Sequence, residues 1–422
     1  MKELLHASTK PGPPARPASF RPRGGKAANP GALQRSKNKW VFIVLLAAAV
    51  LEPGGAAAQD AGGAPSAPVP PHHATGDRAV NAQMESDKPV EPAGGEAGKA
   101  VEKKPVNIED LVWPLPPDKP RIRYLHAYAQ ENHYQKKGLK DRIIQFLTGE
   151  KKKEKKLEKP HDVAIDAKGR IFVSDTEERA IFVFDEVEKN VRFIGHEGAV
   201  RPTLPLGLAV SEAKRWVLVA DGTQKKVLGF SIETGRAVFS IGGKDELQNP
   251  TDVAVDDSRG RIYVADAKGH QVVVYGFDGK KTAAYGKRGG GDGEFNFPTF
   301  VSLDRAGNIY VSDTMNFRVQ VLGPDGAFKG KLGSMGRSAG QFSRPKGVAV
   351  DSEGDVYVVD AAFNNYQIFG PNMLIRLFVG MAGSGPGEFF NPAGIAIDSK
   401  DSVYVVDQLN KRVQAFQFLG GK

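Results

Sequence analysis

Residues 345–369 read PKGVAVDSEGDVYVVDAAFNNYQIF, and this stretch decides the fold because it is one of six similar copies. Within it, three short runs of alternating β-branched and aromatic residues are separated by turn residues, which predicts three consecutive strands. The copies follow each other at intervals of 45 to 48 residues, and each opens with a proline: Pro160, Pro205, Pro250, Pro298, Pro345 and Pro392. Repeats of this length indicate a propeller or a solenoid.

A fourth apolar run follows the three strands of a copy, as at Phe328–Leu332 and Arg376–Val379. Glycine-rich loops that contain Gly-Glu-Phe or Gly-Gln-Phe then lead into the next copy. Four antiparallel strands per copy make one blade of a β-propeller, in which closure of the ring protects the sheet edges. The sequence therefore predicts an all-β fold, a six-bladed β-propeller of four-stranded antiparallel blades.

The sixth copy ends its third strand near Phe418, which leaves the last blade one strand short. A segment ahead of the first copy, Ile122–Ala129 (IRYLHAYA), has the composition of a strand. We expect residues 121–129 to pair with the last blade as a closing strand, because this pairing joins the two ends of the array in one sheet.

The copies also share a pattern of residue types. They combine Pro-x-Gly/Asp-Val-Ala-Val-Asp, then Ile/Val-Tyr-Val-x-Asp, then Asn-x-Arg-Val-Gln, the last seen at Asn316–Arg318 and Asn410–Arg412. In order and spacing they resemble the NHL repeat of six-bladed propellers, and the resemblance covers residues 121–422. The first two copies depart from it, with Glu177–Arg179 and Thr223–Lys225 in place of Asn-x-Arg. The family includes extracytoplasmic binding and scaffold domains, RNA-binding domains and a few lyases, so the resemblance implies the fold and leaves the activity open.

The start of the chain has the pattern of an export signal. Residues 1–39 hold nine Lys and Arg residues against one Glu and precede the apolar run Trp40–Leu51. Such a run is short for a bilayer core of about 30 Å, and Ala56 and Ala58 suit cleavage before Gln59. We predict a leader over residues 1–58 and a periplasmic or extracellular location. Retention of residues 40–51 as a membrane anchor is the alternative.

Residues 59–118 are rich in Ala, Gly, Pro, Glu and Lys, and no aromatic residue occurs between Phe42 and Trp113. Such a composition buries too little apolar surface to offset the entropy of ordering, which predicts a disordered tether. The propeller domain is then expected over residues 119–422.

Net charge and cysteine content exclude several classes of function. The formal net charge of +9 is concentrated in the leader, and the chain from Gln59 onward sums to only +2, which argues against a nucleic-acid partner. The chain has no Cys, which excludes disulfides, thiolate metal sites, covalent haem attachment and a cysteine nucleophile.

Residues 131–157 separate the closing strand from the first copy and are predicted to form a basic helical insert. Its apolar residues lie at helical spacing and its lysines follow in a run: Leu139, Ile143, Phe146, Lys151, Lys152 and Lys153. These six residues are candidates for contact with a partner or a membrane surface. Packing of the insert across the propeller is the interpretation we favour.

Positions at which the copies differ are the best candidates for a binding site, because a site on the propeller axis needs distinct groups while the scaffold repeats. The two residues after each opening proline qualify, since the innermost strand begins there at one mouth of the central channel. Six of them are our binding candidates: His161, Asp162, Thr251, Asp252, Thr299 and Lys346. The Asp residues that end the second strand of every copy are instead expected to fix turns.

These candidates contain a single histidine, whereas the lyases among the similar proteins hold zinc with several histidines from different blades. We therefore predict no catalytic residue, no zinc site and no cofactor. A calcium ion held by backbone carbonyls leaves no signature in a sequence, so this question stays open.

The predicted function is that of an exported, non-catalytic and monomeric propeller that binds a protein or protein complex of the bacterial cell envelope. A metal-assisted enzyme of the lyase or lactonase type, with its site at the channel mouth, is the alternative.

Overall fold

The computed structural model describes residues 111–131, 133–134, 154–243 and 245–420. These residues form six antiparallel sheets, and the innermost strand of each sheet packs against the innermost strands of both neighbours. The sixth sheet contacts the first in the same way. The described part of the chain is therefore a closed six-bladed β-propeller, as the repeats predict.

The strands are numbered along the chain, and the first two, β1 (Val112–Trp113) and β2 (Ile122–Tyr128), precede the repeats. Blade 1 contains β3 (Pro160–Ile165), β4 (Ile171–Asp175), β5 (Ala180–Asp185) and β6 (Asn190–Ile194). Blade 2 contains β7 (Pro205–Ser211), β8 (Trp216–Asp221), β9 (Lys226–Ser231) and β10 (Ala237–Gly242). Blade 3 contains β11 (Pro250–Asp256), β12 (Arg261–Asp266), β13 (Gln271–Gly276) and β14 (Lys281–Tyr285), with a 3-10 turn at Ala267–Gly269.

Blade 4 contains β15 (Pro298–Leu303), β16 (Ile309–Asp313), β17 (Arg318–Leu322) and β18 (Phe328–Leu332), with a 3-10 turn at Thr314–Asn316. Blade 5 contains β19 (Pro345–Val350), β20 (Val356–Asp360), β21 (Asn365–Phe369) and β22 (Ile375–Val379). Blade 6 contains β23 (Pro392–Ile397), β24 (Ser402–Asp407) and β25 (Arg412–Phe418). Every innermost strand thus begins at the predicted proline. We call the face on which these six prolines lie the proline face.

The closing strand is confirmed. Strand β2 pairs antiparallel with β25, from Ile122 opposite Phe418 to Tyr128 opposite Val413, and completes blade 6. The tether was expected to extend to residue 118, and that boundary is wrong. Strand β1 lies within this range and pairs with β2, and Trp113 packs against the ring of Phe416 at 5.8 Å. The aromatic side chain supplies the apolar surface that the preceding residues lack.

The Asp at the end of each second strand fixes local structure, as predicted. In blade 5, one oxygen of Asp360 accepts the backbone N–H groups of Ala362 and Phe363, and the other accepts those of Ser343 and Arg344. One carboxylate therefore holds both the turn after the second strand and the crossing from the previous blade. This explains why the residue recurs in all six copies.

The hydrophobic core lies between the blades and includes one phenylalanine from each of three interblade crossings: Phe295, Phe342 and Phe389, all fully buried. Burial of such a side chain stabilises the fold by about 1.5–3 kcal/mol. In the crossing from blade 4 to blade 5, the backbone passes close to the phenyl ring of Phe342. At Gly333 the backbone φ is +83°, and a Cβ there would lie 2.2 Å from that phenyl ring. Only glycine fits this position without displacing the ring.

The leader, most of the tether and the predicted helix with its lysines (residues 139–153) lie outside the described residues. The described ends of the insert meet at the outer rim. There the backbone N–H of Glu131 donates to the carbonyl of Lys155, the N–H of Lys155 donates to the Glu131 carboxylate, and the N–H of Leu157 donates to the carbonyl of Ala129. Tyr134 donates a hydrogen bond of 3.2 Å to Glu186 of blade 1. No helix in the described part of the chain is long and apolar enough to cross a membrane.

Candidate functional site

The mouth of the channel on the proline face is formed by the second residue of each copy: His161, Leu206, Thr251, Thr299, Lys346 and Ala393. The third residues lie one step deeper: Asp162, Gly207, Asp252, Phe300, Gly347 and Gly394. A β-bulge follows every opening proline and displaces these residues from the regular ladder. The structure therefore brings all six predicted binding candidates to one end of the channel.

Two of them, Asp162 and Asp252, form a buried pair. Asp162 accepts the backbone N–H of Leu208 at 2.7 Å, and Asp252 accepts that of Val301 at 2.8 Å, so each reaches the inner strand of the next blade. The two carboxyl groups also share a hydrogen bond. Burial raises the pKa of both groups, and the charge of Asp162 raises the pKa of Asp252 further. The pair therefore holds a proton between its members.

The glycine between these two blades makes the pair possible. A Cβ on Gly207 would lie 1.8 Å from an oxygen of Asp252 and 2.4 Å from its Cα. Gly394 plays the same part on the other side, because its Cβ would lie 2.0 Å from an oxygen of Asp162. At this level blades 2, 5 and 6 carry glycine, and the missing side chain in blade 2 lets the carboxyl groups from blades 1 and 3 meet.

His161 and Phe300 close the channel. Their rings stack with a centroid distance of 5.5 Å and an interplanar angle of 7°, and they come from blades 1 and 4, which face each other across the axis. Burial lowers the pKa of His161 to about 3, and the nearby charge of Lys346 contributes to this shift. The imidazole is therefore neutral at pH 7. Its Nδ1 atom is buried without a hydrogen-bond partner.

Below this stack the channel continues as a cavity of about 300 Å³. Asp162, Asp252 and Phe300 lie at its polar end, and the remaining lining consists almost entirely of Val, Ile, Leu and Ala from the six innermost strands. The stacked rings lie between this cavity and the mouth on the proline face.

The other three predicted residues lie around the stack. The Thr251 hydroxyl donates a hydrogen bond to the carbonyl of Ala265, and the Thr299 hydroxyl shares one with the hydroxyl of Thr314. Both hydroxyl groups therefore have hydrogen-bond partners within their own blades. The side chain of Lys346 is partly buried and belongs to no ion pair among the described residues. Burial lowers its pKa to about 8, and the guanidinium of Arg344 adds to the shift.

A second feature of the proline face is a set of exposed apolar side chains on blades 4 to 6. We call it the apolar arc, and it comprises Phe297, Met315, Met335, Met381, Phe390 and Leu409, with exposed fractions from 38% to 72%. The arc residues lie in interblade crossings and in turns between second and third strands. Backbone hydrogen bonds connect these turns to the crossings. The N–H of Met315 donates to the carbonyl of Asn296, next to Phe297, and the N–H of Leu409 donates to the carbonyl of Phe390.

The arc was not predicted, although the sequence contains a signal for it. Met315 and Leu409 occupy the second position after the turn-fixing Asp of their copies, where the other four copies have Glu177, Thr223, Lys268 and Ala362. A large apolar residue at this exposed turn position stands out once the copies are aligned.

Within the described ranges, no group of three or more His, Asp or Glu side chains is placed to hold a metal ion.

A family model described as the NHL repeat matches residues 247–275, 295–322 and 342–370. The chain carries NHL repeats. The matched segments cover the first three strands of blades 3, 4 and 5, including the αL turn residues His270 and Phe317 before the third strands. No curated protein matches the chain.

Solved structures with a similar fold are β-propellers of distant sequence. An auxiliary nutrient binding protein from Bacteroides thetaiotaomicron has a TM-score of 0.50 and 14% identity, over 63% of this chain and 70% of that one. A streptogramin B lyase has a TM-score of 0.48 and 12% identity, over 62% and 94%. A gluconolactonase from Xanthomonas campestris has a TM-score of 0.47 and 16% identity, over 62% and 86%. At these identities the likeness of the NHL-repeat propeller to them concerns the fold alone.

Proposed function

We propose that the protein is a protein-binding β-propeller that docks a partner on its proline face. The observation that carries this proposal is the apolar arc. Single exposed apolar residues are ordinary on protein surfaces, whereas a group of them on one face is typical of an interaction site. Met and Phe are enriched at the centres of interfaces, and the unbranched Met side chain adapts to the shape of a partner.

The arc is built on a fixed scaffold, which favours binding. Phe297 packs edge-on against His270 of the neighbouring blade at 4.7 Å, and its backbone N–H donates to the imidazole Nδ1 at 3.2 Å. On the other side, Arg344 of blade 5 donates to Asn391 of blade 6 at 2.8 Å. Side chains held in place before binding lose less conformational freedom when the partner arrives.

We also propose that the protein works as a monomer outside the cytoplasm and that its partner belongs to the cell envelope. The support for this is the signal-like pattern around residues 40–51 and the tether, which would give the propeller reach. N-terminal sequencing of protein from the envelope fraction tests the location. A chain that begins at Gln59 agrees with export and cleavage, and a full-length chain found only in the cytoplasm contradicts it.

A metal-assisted enzyme with its site at the channel is the second candidate, and the Asp162–Asp252 pair is the observation that favours it. Against it, Asp162 and Asp252 already accept backbone N–H groups from Leu208 and Val301 and bond to each other. Elemental analysis of the purified full chain separates the candidates. Stoichiometric metal that is lost in Asp252→Asn would support the enzyme.

Site-specific photocrosslinking tests the docking proposal. A benzoylphenylalanine replaces Phe390 of the full chain, which is 53% exposed. In a matched variant it replaces Leu374, which is 65% exposed and lies in a turn on the opposite face. After irradiation of cells of the native host, we expect a discrete protein adduct from position 390 and none from position 374. Adducts of equal yield at both positions, or an adduct at position 374 only, would contradict the proposal.

A further inference from the structure

Lys346 lies at the mouth of the channel, and no residue in the described part of the chain forms an ion pair with it. Its side chain is partly buried, and the charge that acts on it most strongly is that of Arg344, which is also positive. Taking an ammonium group out of water costs free energy unless an anion or hydrogen-bond acceptors replace the lost hydration. An anion that enters the mouth from outside would recover this cost.

The neighbouring groups do not supply that anion. His161 is neutral, because burial keeps its pKa near 3. The carboxyl groups of Asp162 and Asp252 lie one residue deeper, where they bond to each other and to the backbone N–H groups of Leu208 and Val301. The ring of His161, at the mouth, stacks across the axis on the ring of Phe300, one residue deeper.

The apolar arc and Lys346 lie on the same face and on neighbouring blades. Lys346 belongs to blade 5, and the arc residues Met335, Met381 and Phe390 occupy the crossings into blades 5 and 6. Arg344, two residues before Lys346, is exposed on the same face and adds positive charge beside it. This side of the face therefore combines apolar contact with positive charge that increases toward the axis.

From this arrangement we infer that Lys346 receives the C-terminal carboxylate of a partner protein whose preceding apolar side chains lie on the apolar arc. The inference rests on the proposed function and specifies the chemistry of the partner. A chain terminus fits the mouth better than a continuing chain does, because the His161–Phe300 stack leaves a chain that runs toward the axis no path through the channel. The ammonium supplies charge-assisted hydrogen bonds to the terminal oxygens.

Two matched libraries of synthetic pentapeptides test the inference. Both carry Leu, Ile, Phe or Met at the last three positions, and they differ only in ending as the free acid or as the amide. Each library is passed over the immobilised full chain, and the captured peptides are quantified by mass spectrometry. We expect capture of the free acids to exceed that of the amides about tenfold or more, in line with a hydrogen bond to a charged group.

Variants of the full chain assign the effect. Lys346→Met should reduce capture of the acids to the level of the amides, and Lys346→Arg should retain most of the preference because it keeps the charge. Lys280→Met, at an exposed lysine in a turn on the opposite face, serves as the matched control and should leave the preference unchanged. Circular dichroism of each variant establishes that it is folded.

Three outcomes with the two libraries would overturn the inference: equal capture of acids and amides, a preference for acids that survives Lys346→Met, or no capture of either library. A fourth would be capture of amidated peptides that carry Glu at the last position in the same amount as the free acids. The last outcome would assign Lys346 to a side-chain carboxylate. The docking proposal fails separately, through crosslinking at position 390. If that crosslink forms while acids and amides bind equally, the arc binds a partner and Lys346 does not select its terminus.

Discussion

The imidazole of His161 lies parallel to the phenyl ring of Phe300, 5.5 Å away and from the opposite side of the propeller. The two residues are far apart in sequence, and each belongs to an innermost strand. Their contact turns an open channel into a cavity below and a shallow mouth above.

Removal of the phenyl ring should change the titration of His161. Burial lowers the pKa of this imidazole to about 3 from an ordinary value of 6.5, and Phe300→Ala admits water beside it. We expect the pKa of His161 to rise toward 6.5 in the variant. Imidazole ¹H–¹⁵N spectra recorded over a pH series, with His161→Gln to assign the signals, measure this value. An unchanged low pKa would mean that the ring does not shield the histidine.

The acid pair should make the stability of the wild-type protein depend on pH. The folded-state pKa of Asp162 is raised to about 7 from 3.8, and that of Asp252 is raised as well, with burial as the main cause. The folded protein then holds protons that the unfolded chain releases, so stability from this pair is lost as pH rises from about 4 to above 7.

Asp252→Asn removes one of these titrating groups and leaves an amide that can donate to Asp162. We expect its Tm to fall less than that of the wild type between about pH 5 and pH 8. Asp325→Asn, in an exposed outer turn, should follow the wild type over the same range. Thermal melts in matched buffers test this, and parallel curves for Asp252→Asn and wild type would contradict it.

Gly207→Ala should destabilise the propeller strongly. Its methyl group would lie 1.8 Å from an oxygen of Asp252 and 2.4 Å from the Cα atom, so the backbone of the neighbouring strand must move. We expect a loss of about 2–3 kcal/mol or more in the free energy of unfolding. Gly290→Ala is the matched control, because a Cβ there meets nothing within 4 Å. Urea titrations of both variants give the comparison, and similar midpoints would refute the crowding argument.

Lys346→Met should stabilise the free protein. The pKa of Lys346 is lowered to about 8 from 10.5, so at neutral pH the folded state carries an ammonium charge that burial disfavours. This cost disappears as pH rises from about 8 to above 10. We expect a higher Tm for the variant at pH 7 and a smaller difference at pH 10, measured by thermal melts. A lower Tm at pH 7 would show that the ammonium has a stabilising partner.

Deletion of residues 121–129 should abolish cooperative folding, because it removes strand β2 from blade 6 and exposes the edge of β25. Deletion of residues 60–100 is the control. It shortens the chain ahead of β1 without removing a described strand, and it should leave the melting transition unchanged. Differential scanning calorimetry distinguishes the outcomes. An unchanged transition after loss of β2 would mean that side-chain packing alone closes the ring.

The sequence was sufficient to predict the blades because the same strand pattern occurs six times. In every copy the opening proline marks the start of the first strand and the turn-fixing Asp marks the end of the second. The closing strand could be predicted as well, since a blade with three strands requires a fourth. Only β1 was missed, and at two residues, Val112–Trp113, it is too short to show a strand pattern.

For the candidate site at the channel mouth, the sequence predicted where the residues lie but not which of them contact each other. Comparison of the copies placed His161, Asp162, Asp252 and Lys346 at one mouth, and the structure does bring them there. It could not show that Asp162 bonds to Asp252 or that His161 stacks on Phe300, because both contacts cross the ring between blades that are not neighbours in sequence. Which side chains meet across the channel depends on the positions that carry only glycine, such as Gly207, and on the radius of the channel.

The join between β2 and β25 also affects how this protein is made. A ribosome delivers β2 before any blade and β25 after all of them, so the two strands of one blade emerge at opposite ends of synthesis. During that time the edge of β2 that pairs with β25 is free, and the first five blades cannot form a closed propeller. Closure of the ring therefore requires β25, the last described strand along the chain, and a factor that shields the edge of β2 would act before the propeller is closed.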